Sequence, residues 1–151
     1  MKSKNIILGL NEYSEKELSS SDKKLLSEAK KAAKSAYAPY SKFKVGAAIH
    51  LKNGKIISGN NQENAAYPSG LCAERVALFF ASSQFPSTTV RSIAVTNVPC
   101  GSCRQAMLEY ESRQGSPVKI ILQKEKNKII ISESVSNLLP LSFSYKELKK
   151  D

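Results

Sequence analysis

Apolar residues recur along this chain with a period that changes between helical and extended. Leucine and alanine at positions 25, 26, 29, 32, 33 and 36 repeat at helical spacing, with lysines on the other face. Polar residues 19–22 are N-cap candidates, and Pro39 is expected to stop the helix. The pattern therefore predicts one amphipathic helix before Pro39.

Two strands are predicted next, over residues 44–51 and 55–60, because an Asn-Gly pair at 53–54 is a strong hairpin turn signal. Residues 46–48 are small, so we expect another element to pack closely on the first strand. The remaining predicted elements are a helix over 71–83, a buried strand over 90–96, a helix over 100–111, strands over 118–123 and 128–131, and short helices over 134–139 and 144–150.

Length and composition indicate a single domain over residues 1–151, in which polar, weakly patterned residues 1–21 form a variable leader. No apolar run reaches transmembrane length, and the apolar run at 6–8 is too short for a secretory signal. Three cysteines, an odd number, favour reduced thiols over a disulfide framework. We therefore expect a cytoplasmic protein with no membrane partner.

The formal net charge of +10 raises the question of nucleic-acid binding. Only four of the 23 basic residues are arginines, and the lysines are spread along the whole chain. No arginine-rich stripe with interleaved aromatic residues occurs. A solvated, lysine-rich surface is the favoured interpretation, and no nucleic-acid partner is expected.

The chemistry of the chain centres on its three cysteines, Cys72, Cys100 and Cys103. A catalytic zinc ion has three protein ligands and keeps a fourth position for water, so three thiolates form a suitable set. Both cysteine segments are predicted to begin helices, whose N-termini lower thiol pKa values. The only histidine, His50, is interpreted as an ordinary residue at a strand end, because three thiols already complete the ligand set.

Glu74 lies two residues after Cys72, where a carboxylate could sit beside the metal without binding it. Such a group can take a proton from the attacking water and return it to a substrate. The alternative is a first-turn acid that only favours the helix dipole. Arg75 and Arg104 each follow a cysteine closely and could offset the thiolate charge, although Arg104 could instead tie its helix to the sheet.

The motifs around these residues resemble those of the small, homotetrameric, zinc-dependent cytidine deaminases. They are Tyr-Ala-Pro-Tyr-Ser at 37–41, Phe-Lys-Val-Gly-Ala-Ala at 43–48, Asn-Gln-Glu-Asn-Ala at 61–65, Cys-Ala-Glu-Arg at 72–75, Pro-Cys-Gly-Ser-Cys-Arg-Gln at 99–105 and Leu-Leu-Pro-Leu-Ser-Phe at 138–143. The resemblance covers residues 25–143, most of the chain. One departure is the short segment 97–98 before Pro99, where the family usually has a longer loop.

The resemblance implies an α/β fold: a three-layer α/β/α sandwich with a mixed five-stranded sheet. It implies one Zn²⁺ per subunit and hydrolytic deamination of cytidine and 2′-deoxycytidine, in a homotetramer with sites near the subunit junctions. Phe143 is then either a contribution to a neighbour's pocket or a core residue of its own subunit. The alternatives are deamination of another aminopyrimidine, such as a blasticidin-type antibiotic, and a binding module whose zinc is closed by a fourth protein ligand.

Residue roles follow from the same resemblance. Glu74 is the implied catalytic residue, and Arg75 the implied charge-tuning residue. The implied metal ligands are Cys72, Cys100 and Cys103. The implied substrate-binding residues are Phe43, Asn61, Glu63 and Ala73, with Asn61 and Glu63 on the ribose hydroxyls. Outside its motif, Phe43 would more often be a core residue.

Overall fold

Three α-helices, six β-strands and three short 3-10 helices make up the regular structure of the described residues. The computed structural model describes residues 1–144 and 147–148. The helices are α1 (Ser20–Lys34), α2 (Ala73–Gln84) and α3 (Gly101–Gln114). The strands are β1 (Asn11–Tyr13), β2 (Gly46–Leu51), β3 (Ile56–Asn60), β4 (Val90–Val95), β5 (Lys119–Glu125) and β6 (Lys128–Ser132).

The strands form one mixed sheet in the order β1-β6-β5-β4-β2-β3, in which β4 and β5 are parallel and the other neighbours antiparallel. The α/β class and the mixed sheet are as predicted, but the sheet has six strands rather than five. The additional strand, β1, lies within the predicted leader and pairs with β6 from Asn11 to Tyr13. Its three residues carry no strand pattern of their own, so their partner on β6 determines their conformation.

Alternation along the strands divides the core into two layers, one on each face of the sheet. One layer packs beneath α2 and α3, and includes Ala47, Ile49, Ile93, Val95, Ile120 and Leu122. The other packs beneath α1, and includes Ala48, Ala94, Ile121, Ile129 and Ile131. The three-layer α/β/α arrangement is thereby confirmed, with both cysteine-bearing helices on the same face.

Two glycines allow helices to lie directly on the sheet. A Cβ atom added at Gly46 would lie 2.0 Å from the carbonyl oxygen of Ala29 in α1. One added at Gly59 would lie 2.6 Å from the backbone nitrogen of Ala77 in α2. Close packing on the small residues of β2 was predicted, and the contact at Gly59 sets the distance of α2 from the sheet.

Several element boundaries differ from the predicted ones for a physical reason. Helix α1 ends at Lys34 rather than near Pro39, because the backbone of Tyr37 pairs with the segment at Gln62. Leu71 also pairs with Gln62, so α2 begins later than predicted, at Ala73. The predicted 53–54 turn is present, with Gly54 at a φ of 87°.

The predicted short helix over 134–139 is a 3-10 helix, Val135–Leu138, whereas the one over 144–150 lies largely outside the described residues. In the part of the chain that is described, no helix combines the length and apolar character needed to cross a bilayer.

Candidate active site

The three cysteines meet where α2 and α3 begin. Cys72 is the N-cap of α2, Cys100 is the N-cap of α3, and Cys103 lies in the first turn of α3. Their sulfurs all lie within 4.8 Å of one another, and those of Cys72 and Cys100 are 4.0 Å apart. Sulfurs about 2.3 Å from a tetrahedral zinc lie roughly 3.8 Å apart, so this donor set fits zinc.

The surroundings of the sulfurs control how readily the thiols ionise. Burial raises the pKa of Cys103, which is fully buried, and burial also raises the pKa of Cys72. Burial acts in the same direction on Cys100, but hydrogen bonds from the Cys103 backbone and from the two other thiols lower its pKa overall. Three thiolates together therefore require a cation at their centre, as a zinc ion would provide.

Glu74 follows the cluster on the first turn of α2, and its side chain is buried, with 4% exposure. Burial raises the pKa of this carboxyl group, while its own backbone N–H, the Cys103 thiol and the Arg75 charge act in the opposite direction. A carboxyl with a raised pKa beside a candidate set of metal ligands has the properties of a general acid and base.

Within residues 1–144 and 147–148, the three thiols are the only side chains grouped closely enough to hold a metal ion.

Arg75 brings a positive charge to the same cluster. Burial alone would lower its pKa, but hydrogen bonding to Cys72 and the charges of the Cys103 and Cys72 sulfurs raise it overall. Its Nε atom is buried, and no described residue accepts a hydrogen bond from it. A guanidinium that bonds to Cys72 and keeps a buried Nε–H without an acceptor suits a cluster that becomes anionic when its thiols bind a metal ion.

Arg104, whose role the sequence left open, is directed away from the sulfurs toward the backbone. Its Nε donates to the carbonyl of Pro99 at 2.9 Å, and its Nη1 donates to the carbonyl of Leu138 at 3.1 Å. It therefore ties the turn that carries Cys100 to the end of the 3-10 helix Val135–Leu138.

A cavity of about 560 Å³ opens beside Cys72 and Arg75. Its other lining residues belong to two loops, and are Tyr40, Ser41, Asn61, Gln62, Glu63, Asn64, Tyr67, Gly70 and Leu71. Two of the four predicted substrate-binding residues, Asn61 and Glu63, thus face this space. The size of the cavity is within the range typical of small-molecule sites.

Both of these polar residues also hold their own loops together. Asn61 donates to the carbonyl of Phe43 at 2.9 Å and accepts from the N–H of Val45 at 2.8 Å. The Glu63 carboxylate accepts from the Tyr40 N–H at 2.9 Å, the Ser41 N–H at 3.3 Å and the Ser41 hydroxyl. The Ser41 hydroxyl is the largest cause of the lowered pKa of Glu63, and burial opposes it.

The other residues singled out from the sequence do not line this cavity. Phe43 is 54% exposed, and Ala73 is fully buried at the start of α2. Phe143 is 58% exposed, and its backbone carbonyl accepts from Gln105 of α3 at 2.9 Å. His50 lies in β2 at a separate cleft and is not grouped with the cysteines.

Sequence reasoning assigned no role to several of the lining residues. Tyr40 and Tyr67 pack edge to face with ring centroids 6.2 Å apart, and form an aromatic wall of the cavity. Tyr40 and Ser41 belong to the Tyr-Ala-Pro-Tyr-Ser motif at 37–41, for which the sequence alone indicates no individual roles. Their roles follow from their proximity to the 61–71 loop. The sequence does not indicate this proximity, because it depends on pairing between segments that are distant in the chain.

Comparisons with known proteins agree with this geometry. Residues 19–115 match the family model for the cytidine and deoxycytidylate deaminase zinc-binding region. The cytidine deaminase of Halalkalibacterium halodurans is 40% identical over 129 residues, covering 82% of this chain and 95% of that protein. The cytidine deaminase of Sporosarcina psychrophila is also 40% identical, over 130 residues that cover 83% and 93% of the two chains.

Solved structures are similar in fold as well as in sequence. The crystal structure of cytidine deaminase from Burkholderia pseudomallei superposes with a TM-score of 0.71 at 38% identity, covering 80% of this chain and 97% of that one. The cytidine deaminase of Mycobacterium tuberculosis gives a TM-score of 0.64 at 30% identity, covering 80% and 94%. The chain therefore belongs to the cytidine and deoxycytidylate deaminase family, whose members share a zinc-binding region.

Proposed function

We propose that this protein catalyses the hydrolytic deamination of cytidine and 2′-deoxycytidine to uridine and 2′-deoxyuridine, with release of ammonia. The observation that carries the proposal is the position of the buried Glu74 carboxyl beside a cluster of three thiols. Relatives that are 40% identical over most of their length are cytidine deaminases, which supports the same substrate class.

The cysteines would hold the metal, one ion per subunit, and Arg75 would offset part of the charge of three thiolates. Zinc bound there would supply Lewis-acid activation of the water that attacks C4 of the base. Glu74 would accept a proton from this water and deliver it to N3, and would then take the second proton from the oxygen added at C4 and give it to the amino group, which leaves as ammonia. Its burial suits this role because the raised pKa brings the carboxyl closer to neutral pH.

The sugar would bind through the unused hydrogen-bonding capacity of the cavity. One amide hydrogen and one carbonyl lone pair of Asn61 remain after its contacts to Phe43 and Val45. A carboxylate has about four acceptor positions. Glu63 uses three of them on Tyr40 and Ser41. The two side chains could together donate to and accept from one ribose hydroxyl, with Phe43 and the Ala73 backbone closer to the base.

Recognition of sugar hydroxyls favours free nucleosides over a nucleic-acid strand.

We also infer that the protein forms a homotetramer and is located in the cytoplasm. Apolar side chains that a partner subunit could cover, among them Phe43, Phe79, Phe80 and Phe143, are each more than 40% exposed. The three free cysteines suit a reducing compartment. Light scattering coupled to size exclusion will measure the assembly.

Metal analysis and an ultraviolet assay on cytidine test the proposal together. The wild-type protein should contain one zinc per chain and consume cytidine and 2′-deoxycytidine, with blasticidin S measured alongside as an alternative substrate. Glu74→Gln should keep zinc and fold but lose about 10²–10⁴-fold in kcat, the range for loss of a general acid and base. Absence of cytidine turnover by the wild-type protein, or ammonia release by Glu74→Gln at the wild-type rate, would overturn the proposal.

A further inference from the structure

Helix α3 is hydrogen-bonded to the 3-10 helix Val135–Leu138 at two points. Its Arg104 contacts one end of that helix, and its Glu111 contacts the other. The two residues are seven positions apart, which places them on one face of α3 about 10.5 Å apart along its axis. The 3-10 helix thus lies along α3 and connects the cysteine-bearing end of α3 to the half of α3 that is farther from the cysteines.

Glu111 is a carboxylate with 9% exposure whose surroundings are built to hold it. It accepts from the backbone N–H groups of Val118 at 2.7 Å, Val135 at 2.8 Å and Ser136 at 3.3 Å. It also accepts from the Ser134 hydroxyl at 2.6 Å. Four donors on one buried carboxylate offset much of its desolvation cost and fix the start of the 3-10 helix.

The far end of the 3-10 helix leads back to the thiol cluster. The Leu138 carbonyl accepts from Arg104, and Arg104 donates in turn to the Pro99 carbonyl. Pro99 directly precedes Cys100, the N-cap of α3. A shift of the Leu138 carbonyl would therefore move the Arg104 side chain. Its hydrogen bond to the Pro99 carbonyl would change, and with it the turn that places the Cys100 sulfur.

We propose that Glu111 is a positioning residue for the cysteine cluster. It fixes the start of the 3-10 helix, and so sets where Leu138 holds Arg104 and where Arg104 holds the turn at Pro99 and Cys100. This inference rests on the proposed function, because it requires that the cluster binds zinc.

The test is a zinc-affinity measurement on folded protein, by competition with a chromophoric chelator. Glu111→Gln places an amide N–H opposite the Ser136 N–H, and should release the start of the 3-10 helix. We expect zinc affinity to fall about tenfold, the low end for outer-shell partners of a metal ligand, because Glu111 acts through Arg104. Arg104→Met should lower zinc affinity at least as much.

A double-mutant cycle separates positioning from general loss of stability. In the Arg104→Met background, Glu111→Gln should cost less than about twofold further, because the path between the two residues is already broken. The matched control is Asp22→Asn, which removes a buried carboxylate that accepts from Lys119 on the α1 side of the sheet. This control removes the same charge and should leave zinc affinity unchanged.

The outcomes distinguish this inference from the function on which it rests. A wild-type protein that takes up no zinc would overturn both. Wild-type zinc affinity in Glu111→Gln would overturn the positioning role alone. So would an equal loss in Asp22→Asn, or a Glu111→Gln effect that is undiminished without Arg104.

Discussion

The two halves of the candidate site are held in place by different physical means. The metal half consists of three thiols and Glu74 at the starts of α2 and α3, and both helices pack on the same face of the sheet. The nucleoside half, named for the proposed substrate, consists of the loops at 37–43 and 61–71, whose side chains are mostly exposed. It is held by hydrogen bonds from the side chains of Asn61 and Glu63 to backbone groups at Tyr40, Phe43 and Val45.

The nucleoside half also contains a residue with an uncommon backbone conformation. Lys42, in the first nucleoside loop, has a φ of 61°, a left-handed conformation that is uncommon for residues other than glycine. Strain of this kind persists only where surrounding contacts impose it, and often marks a binding site. Changes in the metal half should therefore act on zinc and fold, whereas changes in the nucleoside half should act on substrate affinity.

Cys103→Ser should have the largest effect, because it removes a ligand from the buried centre of the metal half. The loss in zinc affinity should exceed the 10–100-fold typical of outer-shell partners, and cytidine turnover should fall below detection. Zinc per chain after dialysis against a chelator is the measurement. Ser102→Ala, in the same turn but with an exposed side chain, is the control and should retain zinc. Full zinc occupancy in Cys103→Ser would contradict the proposed ligand set.

Glu63→Gln should break the nucleoside half while leaving the metal half intact. The variant loses the charge that accepts from Tyr40 and Ser41, along with the acceptor proposed for the sugar. We expect KM for cytidine to rise roughly tenfold, as for loss of a hydrogen bond to a charged group, with zinc content unchanged.

A substrate analogue sharpens this second prediction. The wild-type protein should discriminate against 3′-deoxycytidine, because the remaining acceptor position of the Glu63 carboxylate is left unpaired when the hydroxyl is missing. Glu63→Gln should lose much of that discrimination. Glu17→Gln, which removes another serine-bonded carboxylate far along the chain, is the control and should retain wild-type KM. Equal discrimination by Glu63→Gln and the wild type would remove Glu63 from sugar recognition.

The sequence predicted the metal half better than the nucleoside half. The spacing of three cysteines and the helical patterns after Cys72 and Cys100 were local signals, and the structure places all three sulfurs together. The nucleoside loops have no periodicity. Their shape depends on bridges from Tyr37 and Leu71 to Gln62, of which the Tyr37 bridge connects segments 25 residues apart in sequence.

Elements outside the site were missed for the same reason. β1 has no alternating pattern, and only its pairing with Ile129 to Ile131 defines it. Glu111 has the sequence context of an exposed acid on α3, and its burial depends on β5 and the 3-10 helix arriving from later in the chain. Patterns within one element predicted that element, whereas contacts between elements required the folded chain.

Ser41→Ala is the smallest change we predict, and it tests the nucleoside half through its electrostatics. The Ser41 hydroxyl is the largest of the causes that lower the pKa of Glu63, so its removal should raise that pKa toward the ordinary glutamate value. Carbon-13 NMR of the Glu63 carboxyl, titrated from neutral to acidic pH, measures the shift. Ser14→Ala, which acts on Glu17 in the same way, should leave the Glu63 titration unchanged.

The sign of the effect follows from linkage. The pKa of Glu63 is lowered in the folded protein. At pH values above the ordinary glutamate pKa, its ionised form therefore stabilises the turn at Tyr40 and Ser41 in full. This contribution is lost as the pH falls through the lowered folded value. In Ser41→Ala the contribution should be smaller, and its loss should be complete at a higher pH than in the wild type. An unchanged titration would show that the backbone N–H groups hold the carboxylate without the hydroxyl.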